Sequence, residues 1–198
     1  MPIPIVAKTE KDGKEWYDWV AEDGMPHSIG RLSGFMGNAG VLLRAYVYMR
    51  MVGRDGMRRL AEYATLNANY LQAQLRDAGF ELAFPNRRAS HEFIVTLKHE
   101  ARELNLTAMA VAKALLDRNY HAPTTYFPLL VPECLLIEPT ETESPEAVEY
   151  FAEVMSKILD EAKSQPEMVK SAPHTQPVRR LDDVRAAREL DLRWQPAG

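Results

Sequence analysis

The stretch "CLLIEPTETESPEAVEYFAEVMSKILDEA", residues 134–162, contains the change of periodicity that decides the fold. Cys134–Ile137 is a short apolar run that reads as a strand. Ser144 followed by Pro145 marks a helix start, because proline at the first helical position gives up an amide that has no partner there anyway. Beyond it Val148, Phe151, Ala152, Met155, Ile158, Leu159 and Ala162 recur at helical spacing and predict one buried face. Between strand and helix stand Glu138, Glu141 and Glu143, interleaved with Thr140 and Thr142. Carboxylates this close repel one another, so the segment is either a solvated helix cap or a site with something to hold.

Working outward, Thr107 opens a helix with Ala108, Val111, Ala112 and Leu115 on one face, ending at Arg118-Asn119. The segment "HAPTTYFPLLVPE" (121–133) is a proline-punctuated loop. "FELAF" (80–84) and "HEFIVTL" (91–97) are strand-like, joined by "PNRRAS". Further upstream, Ala39 to Met51 is apolar nearly all round and predicts a buried helix. A second helix, capped by Asp55 and ended by Gly79, carries the stripe Leu60, Ala61, Ala64, Ala68, Leu71, Leu75 and Ala78, and the two are expected to pack together. Asn67 lies toward that stripe, where a buried amide needs backbone partners. Residues 3–20 read as a hairpin around Lys11-Asp12-Gly13-Lys14. Gly30, Gly34, Gly37 and Gly40, with Asn38 among them, either bring amides toward an anion or form a turn capping the next helix. The order predicts an α/β fold in which helices cover one small, mainly antiparallel sheet. Three segments are expected: 1–36, hairpin and glycine-rich connection; 37–163, the α/β domain; 164–198, an extended, proline-bearing tail with a last polar helix.

Composition narrows the function. The 198 residues carry a net charge of -4, which argues against a nucleic-acid surface built on bulk charge. Val41–Val52 and Tyr126–Val131 are too short or too interrupted to span a bilayer, so no membrane association is expected. Cys134 is the single cysteine, and no apolar signal core opens the chain, so a reducing, cytoplasmic setting is expected. The five histidines show no metal-ligand spacing, and no metal is expected. Phosphate loops, nucleophile elbows and dinucleotide fingerprints are absent. Cys134, at the start of an apolar strand, reads as an inert buried thiol. Three polar clusters remain at strand ends: Ser90-His91-Glu92, His121 with Thr124-Thr125, and Glu138 to Glu143.

Four stretches give these clusters a context: "GNAGVLLRAYVYMRMVGRDGMRRLAEYATLNANYL" (37–71), "HEFIVTLK" (91–98), "NYHAPTTYFPLLVPECLLIEPTETES" (119–144) and "SAPHTQPVRRLDDVRAARELDLRW" (171–194). In this order they resemble the C-terminal part of glycine dehydrogenase (decarboxylating), the P-protein of the glycine cleavage system, and especially its second subunit in two-subunit bacterial forms. The resemblance implies the C-terminal small domain of a fold-type-I transferase dependent on pyridoxal 5'-phosphate. It implies an enzyme that decarboxylates glycine and passes the aminomethyl group to the lipoyl arm of the H-protein. The implied partners are glycine, the H-protein, subunit 1 of the P-protein and a cofactor domain.

The family's Schiff-base lysine follows a histidine, and this chain contains no His-Lys pair. The expectation is therefore a fragment inactive alone, with no catalytic residue of its own. The alternative is an interaction module that binds subunit 1 or the H-protein without chemistry. In the family reading Asn38 lies toward the cofactor, and His91, His121, Thr124, Glu138, Thr140 and Glu141 line the cleft. Exposure of the surface that meets the missing domain is expected to make the chain oligomeric.

Overall fold

The computed structural model describes residues 2–20, 22–31 and 37–194, and the chain divides into two compact units, Met1–Gly53 and Arg54–Gly198. The first begins with the expected hairpin: β1 (Ile5–Lys11) pairs antiparallel with β2 (Lys14–Val20), from Ile5 opposite Val20 to Lys11 opposite Lys14. Asp12 and Gly13 have φ of 54° and 70°, the pair of positive values that matches a two-residue turn to the twist of its strands. Lys11 Nζ meets Asp18 Oδ2 across the strands at 2.6 Å. A 3-10 turn, Glu22–Gly24, follows.

Helix α1 (Ala39–Asp77) starts at Asn38, whose Oδ1 accepts from Val41 N at 3.2 Å while its carbonyl accepts from Leu42 N at 3.0 Å. Two helices were expected here. They are present as two helical stretches of this element, separated at the non-helical Gly53 (φ 70°, ψ 177°), where the two units also divide. Asp55, expected to cap the second, stands two residues beyond Gly53, in the first turn of that stretch. The apolar run 41–51 was expected to be buried. Instead Val41, Leu42, Leu43, Tyr46 and Met51 are exposed, Met51 at 81%, because no described element of the first unit lays a second layer over them.

In the second unit β3 (Glu81–Leu82), β4 (Phe93–Thr96), β6 (Cys134–Ile137) and β5 (Thr124–Thr125) form one sheet in the order β3-β4-β6-β5, every pair antiparallel. Phe93 stands opposite Ile137 and Thr96 opposite Cys134, so the two central strands are in full register. Helix α3 (Ala108–Leu116) packs on β5 and β6, and α4 (Pro145–Ser164) packs on α3. Their ends are set by side chains. Thr107 Oγ1 accepts from Ala110 N at 3.1 Å, and Glu133 Oε2 accepts from Ala108 N at 2.7 Å, placing a carboxylate at the positive end of α3. Ser144 Oγ does the same for α4, accepting from Ala147 N at 3.2 Å. Leu71 and Leu75 of α1 join Val95, Val111, Leu115, Leu135, Met155 and Ile158 in one core. The face expected on α4 is buried, apart from a half-buried Phe151, and Val154 adds to it.

Helix α2 (Lys98–Leu104) is unheralded in the sequence, since it buries none of its residues and has no side-chain cap at its start. Helix α5 (Pro166–Lys170) occupies the first part of the tail expected to be extended, and it packs on α3 and α4 through the buried Val169. The later polar helix is α6 (Asp183–Arg188). Between α5 and α6 the chain is strapped to the end of α3. Asp117 accepts from His174 N at 2.7 Å, from Thr175 N at 2.8 Å and from Thr175 Oγ1 at 2.9 Å, and Gln176 Nε2 donates to Leu116 O at 2.8 Å. Burial pushes the Asp117 carboxyl upward, but the donors of Thr175 and His174 outweigh it and hold the group below its ordinary range.

Asp117→Ala should release residues 171–176. The expected result is a loss of about 1–2 kcal/mol in chemical denaturation, with faster amide exchange at His174 and Thr175. Because the folded group titrates lower than the unfolded one, its contribution is present above about pH 4 and disappears as the pH falls through the depressed value. The variant's stability should therefore fall less steeply in acid. Equal stability of both proteins at neutral pH would contradict the strap.

Candidate functional site

The second unit carries an open cleft of about 630 Å3. Leu136 and Ile137 of β6 line its floor, Thr124 of β5 stands beside them, and the segment before β5 supplies Asn119, Tyr120 and His121. The rim is the acidic segment that follows β6, through Glu138, Thr140 and Glu143. Val148 and Phe151 of α4 and Leu71 of α1 close the apolar side. Of the residues expected at the site, His121, Thr124, Glu138 and Thr140 therefore share one cleft.

Glu141 and His91 lie outside that lining. His91 belongs to its margin, with Nε2 at 4.0 Å from Glu138 Oε1 and Nδ1 at 3.2 Å from Ser90 Oγ. Ligand atoms of His91, Glu92 and Glu138 all fall within 4.8 Å of one another. Asn38 belongs to the other unit, where it caps α1.

The shape of the acidic rim has an identifiable cause. Asn67, 9% exposed, donates through Nδ2 to Thr140 O at 2.8 Å and to Glu143 O at 3.1 Å. Glu143 N returns to Thr140 O at 3.2 Å, Thr140 Oγ1 and Thr142 Oγ1 lie 2.7 Å apart, and Ser144 then caps α4. The carbonyls thus turn inward to one amide, leaving the Glu138 and Glu143 side chains exposed. Glu146, in the first turn of α4, is held below the ordinary carboxylate range by the backbone amide there and by Ser144. Part of the acidic pattern is thus a helix cap, and part is a cleft wall.

Tyr120 is a functional candidate that sequence reasoning passed over. Its ring meets Phe151 edge-on at 5.2 Å and 74° and Tyr150 at 6.3 Å. Burial, then Tyr150 and Glu143, push its phenol upward, so it stays protonated and can donate into the cleft. Its spacing carried no signal: Tyr120 directly follows Asn119, whose left-handed φ of 61° turns the chain after α3.

Electrostatically the cleft is one-sided. Two carboxylates line it, and among the described residues no lysine or arginine does. Lys98, Lys157, Lys163 and Lys170 of this unit are paired with Glu81, Glu153, Asp160 and Glu167. An apolar floor beneath two carboxylates suits an ammonium or an uncharged polar group and disfavours a phosphate. Cys134 takes no part: its thiol is fully buried, reaches only Pro128 O at 3.7 Å, and is pushed upward first by desolvation.

Asn67→Ala should cost about 1–3 kcal/mol, because two carbonyls lose their donor at once. Asn67→Asp should cost more at neutral pH, since it points an anion at the same two carbonyls, and thermal unfolding of the three proteins checks the order. A thiol reagent should leave Cys134 unmodified in the native chain and react with it promptly in denaturant. Rapid native labelling would contradict the burial.

Comparison with known proteins agrees with this architecture. The model of a family described as "Glycine dehydrogenase, C-terminal domain" matches residues 60–179. The probable glycine dehydrogenase (decarboxylating) subunit 2 of Thioalkalivibrio sulfidiphilus is 68% identical over 196 residues, 99% of this chain and 39% of that one. Its counterpart from Nitrosospira multiformis is 66% identical over 195 residues, 98% of this chain and 38% of that one. The chain thus spans about two fifths of the length of the curated relatives it matches. Among solved structures, an inhibitor-bound glycine decarboxylase (P-protein) of the glycine cleavage system shares the fold, with a TM-score of 0.54 over 79% of this chain and 35% of that one, at 20% identity. With an antiparallel sheet covered by helices, matched from α1 through the Asp117 strap, the chain belongs to the family of glycine dehydrogenase C-terminal domains.

Proposed function

We propose that the chain supplies the C-terminal domain of a glycine decarboxylase of the glycine cleavage system and contributes one wall of its active site. The observation that supports this reading best is the cleft itself, where His121, Thr124, Glu138 and Thr140 converge on an apolar floor. In this reading they face the substrate side, Glu138 and Glu143 favour an ammonium, and Tyr120 donates a hydrogen bond. Glycine and the lipoyl arm of an H-protein are the proposed reactants, in a cytoplasmic setting. Segments 1–36, 37–163 and 164–198 then act as connection to a cofactor domain, small domain and surface tail.

Pyridoxal phosphate does not fit the residues present here. Among the described residues no lysine or arginine lines the cleft to pair with its phosphate, and no lysine is there to hold the aldehyde. The cofactor is therefore assigned to residues of another polypeptide or domain, and Asn38 is kept only as a candidate neighbour of it. The runner-up reading, a non-catalytic module that binds subunit 1 of the P-protein or the H-protein and self-associates, is favoured by the exposed apolar residues Val41, Leu42, Leu43 and Tyr46.

A mixing experiment separates the two. Purified chain is combined with pyridoxal phosphate, with and without a polypeptide carrying the family's His-Lys segment, and both the bound-cofactor absorbance and carbon dioxide release from glycine are recorded. Bound cofactor and turnover only in the mixture are expected, with Glu138→Gln lowering turnover by about tenfold or more. Cofactor bound by the chain alone would overturn the assignment. Association without turnover would favour the interaction module.

A further inference from the structure

Leu136 lines a second, smaller groove of about 180 Å3 as well as the cleft. The connection between β3 and β4 builds it, contributing Phe84, Arg87, Arg88 and Ser90, with Phe93 and Ile94 as further apolar lining. This connection is held in place. Asn69 of α1 accepts from Ala89 N at 3.1 Å and donates to Ala89 O at 2.9 Å, so one amide side chain pairs with a loop residue as a neighbouring strand would. Arg87 N closes a turn onto Phe84 O at 3.1 Å, and the Arg87 guanidinium lies 5.7 Å from the centre of the Phe84 ring.

The charges on this fixed loop are only partly offset. Arg58, Arg76, Arg118 and Arg185 each have a carboxylate partner, whereas among the described residues Arg87 and Arg88 form no ion pair. Glu92 also lines the groove, so two positive charges stand against one negative. That net positive charge attracts an anion, and the apolar lining favours one with an aliphatic body over bare phosphate. A guanidinium fork matches a planar carboxylate, and the phenylalanine and isoleucine walls suit a short aliphatic body.

We propose that Arg87, Arg88 and Ser90 form a recognition site for a small aliphatic monocarboxylate. The site is separate from the cleft reading above and stands if that reading fails. The test is titration of the full chain with hexanoate, hexylamine and inorganic phosphate, followed by amide chemical shifts and calorimetry. Hexanoate should bind saturably with shifts centred on Ala89, Ser90 and Glu92. Hexylamine should leave those amides unmoved, and phosphate should bind about tenfold more weakly or worse. The double variant Arg87→Gln, Arg88→Gln should lose at least about tenfold in hexanoate affinity. Both positions are exposed, so its fold should persist, as circular dichroism would show, and Arg185→Gln should bind like the parent. Non-saturable hexanoate shifts, an unchanged double variant, or phosphate binding as tight as hexanoate would each overturn the proposal.

Discussion

A single buried amide joins the helical layer to the acidic rim. Asn67 sits on α1 and satisfies two backbone carbonyls, Thr140 O and Glu143 O, more than seventy residues further along the chain. Without that donor the rim would have to turn those carbonyls to water, and the entry of α4 would lose its fixed position. Asn69, two residues later, points to a different side of the same helix, because residues at i and i+2 do not share a face. It holds Ala89 instead. The helix therefore works as a strut with one amide on either side, each bonded to the loop that borders one of the two concavities.

This arrangement explains which parts of the fold were legible. Strand β6, α3 and α4 carry their own signals: an apolar run, a Thr or Ser cap, a proline at the first helical position, and a helical stripe. Helix α2 has none of these, because it buries no residue, and the two-residue β5 is defined only by its pairing with Leu135 and Leu136. The helix 39–51 was read as buried from its apolar circumference, a pattern that reports a need for cover without saying what provides it. Position in the cleft was half legible for the same reason. Thr124 and Glu138 stand at strand ends and His121 just before one, where ligands are commonly met, while Glu141 turns out of the lining and Tyr120 enters it through a backbone turn that sequence spacing does not encode.

Charge placement separates what this chain can contribute from what it leaves to others. Its cleft is acidic and apolar, and Lys98 and Lys157 of the same unit are occupied in ion pairs with Glu81 and Glu153. A site that must hold a phosphate and a substrate amine together gains from placing the two on different supports, because each then keeps its own electrostatic environment until the halves meet.

The strap at Asp117 bears on how the tail can evolve. Most of its bonds come from the main-chain amides of His174 and Thr175. The carboxylate thus reads the path of the backbone more than the identity of the residues on it. Side chains there can drift widely with the attachment intact, and the one replacement excluded at either position is proline, which has no amide hydrogen to give. Selection on this part of the chain would then act on a shape written in peptide groups, with a single aspartate as its reader.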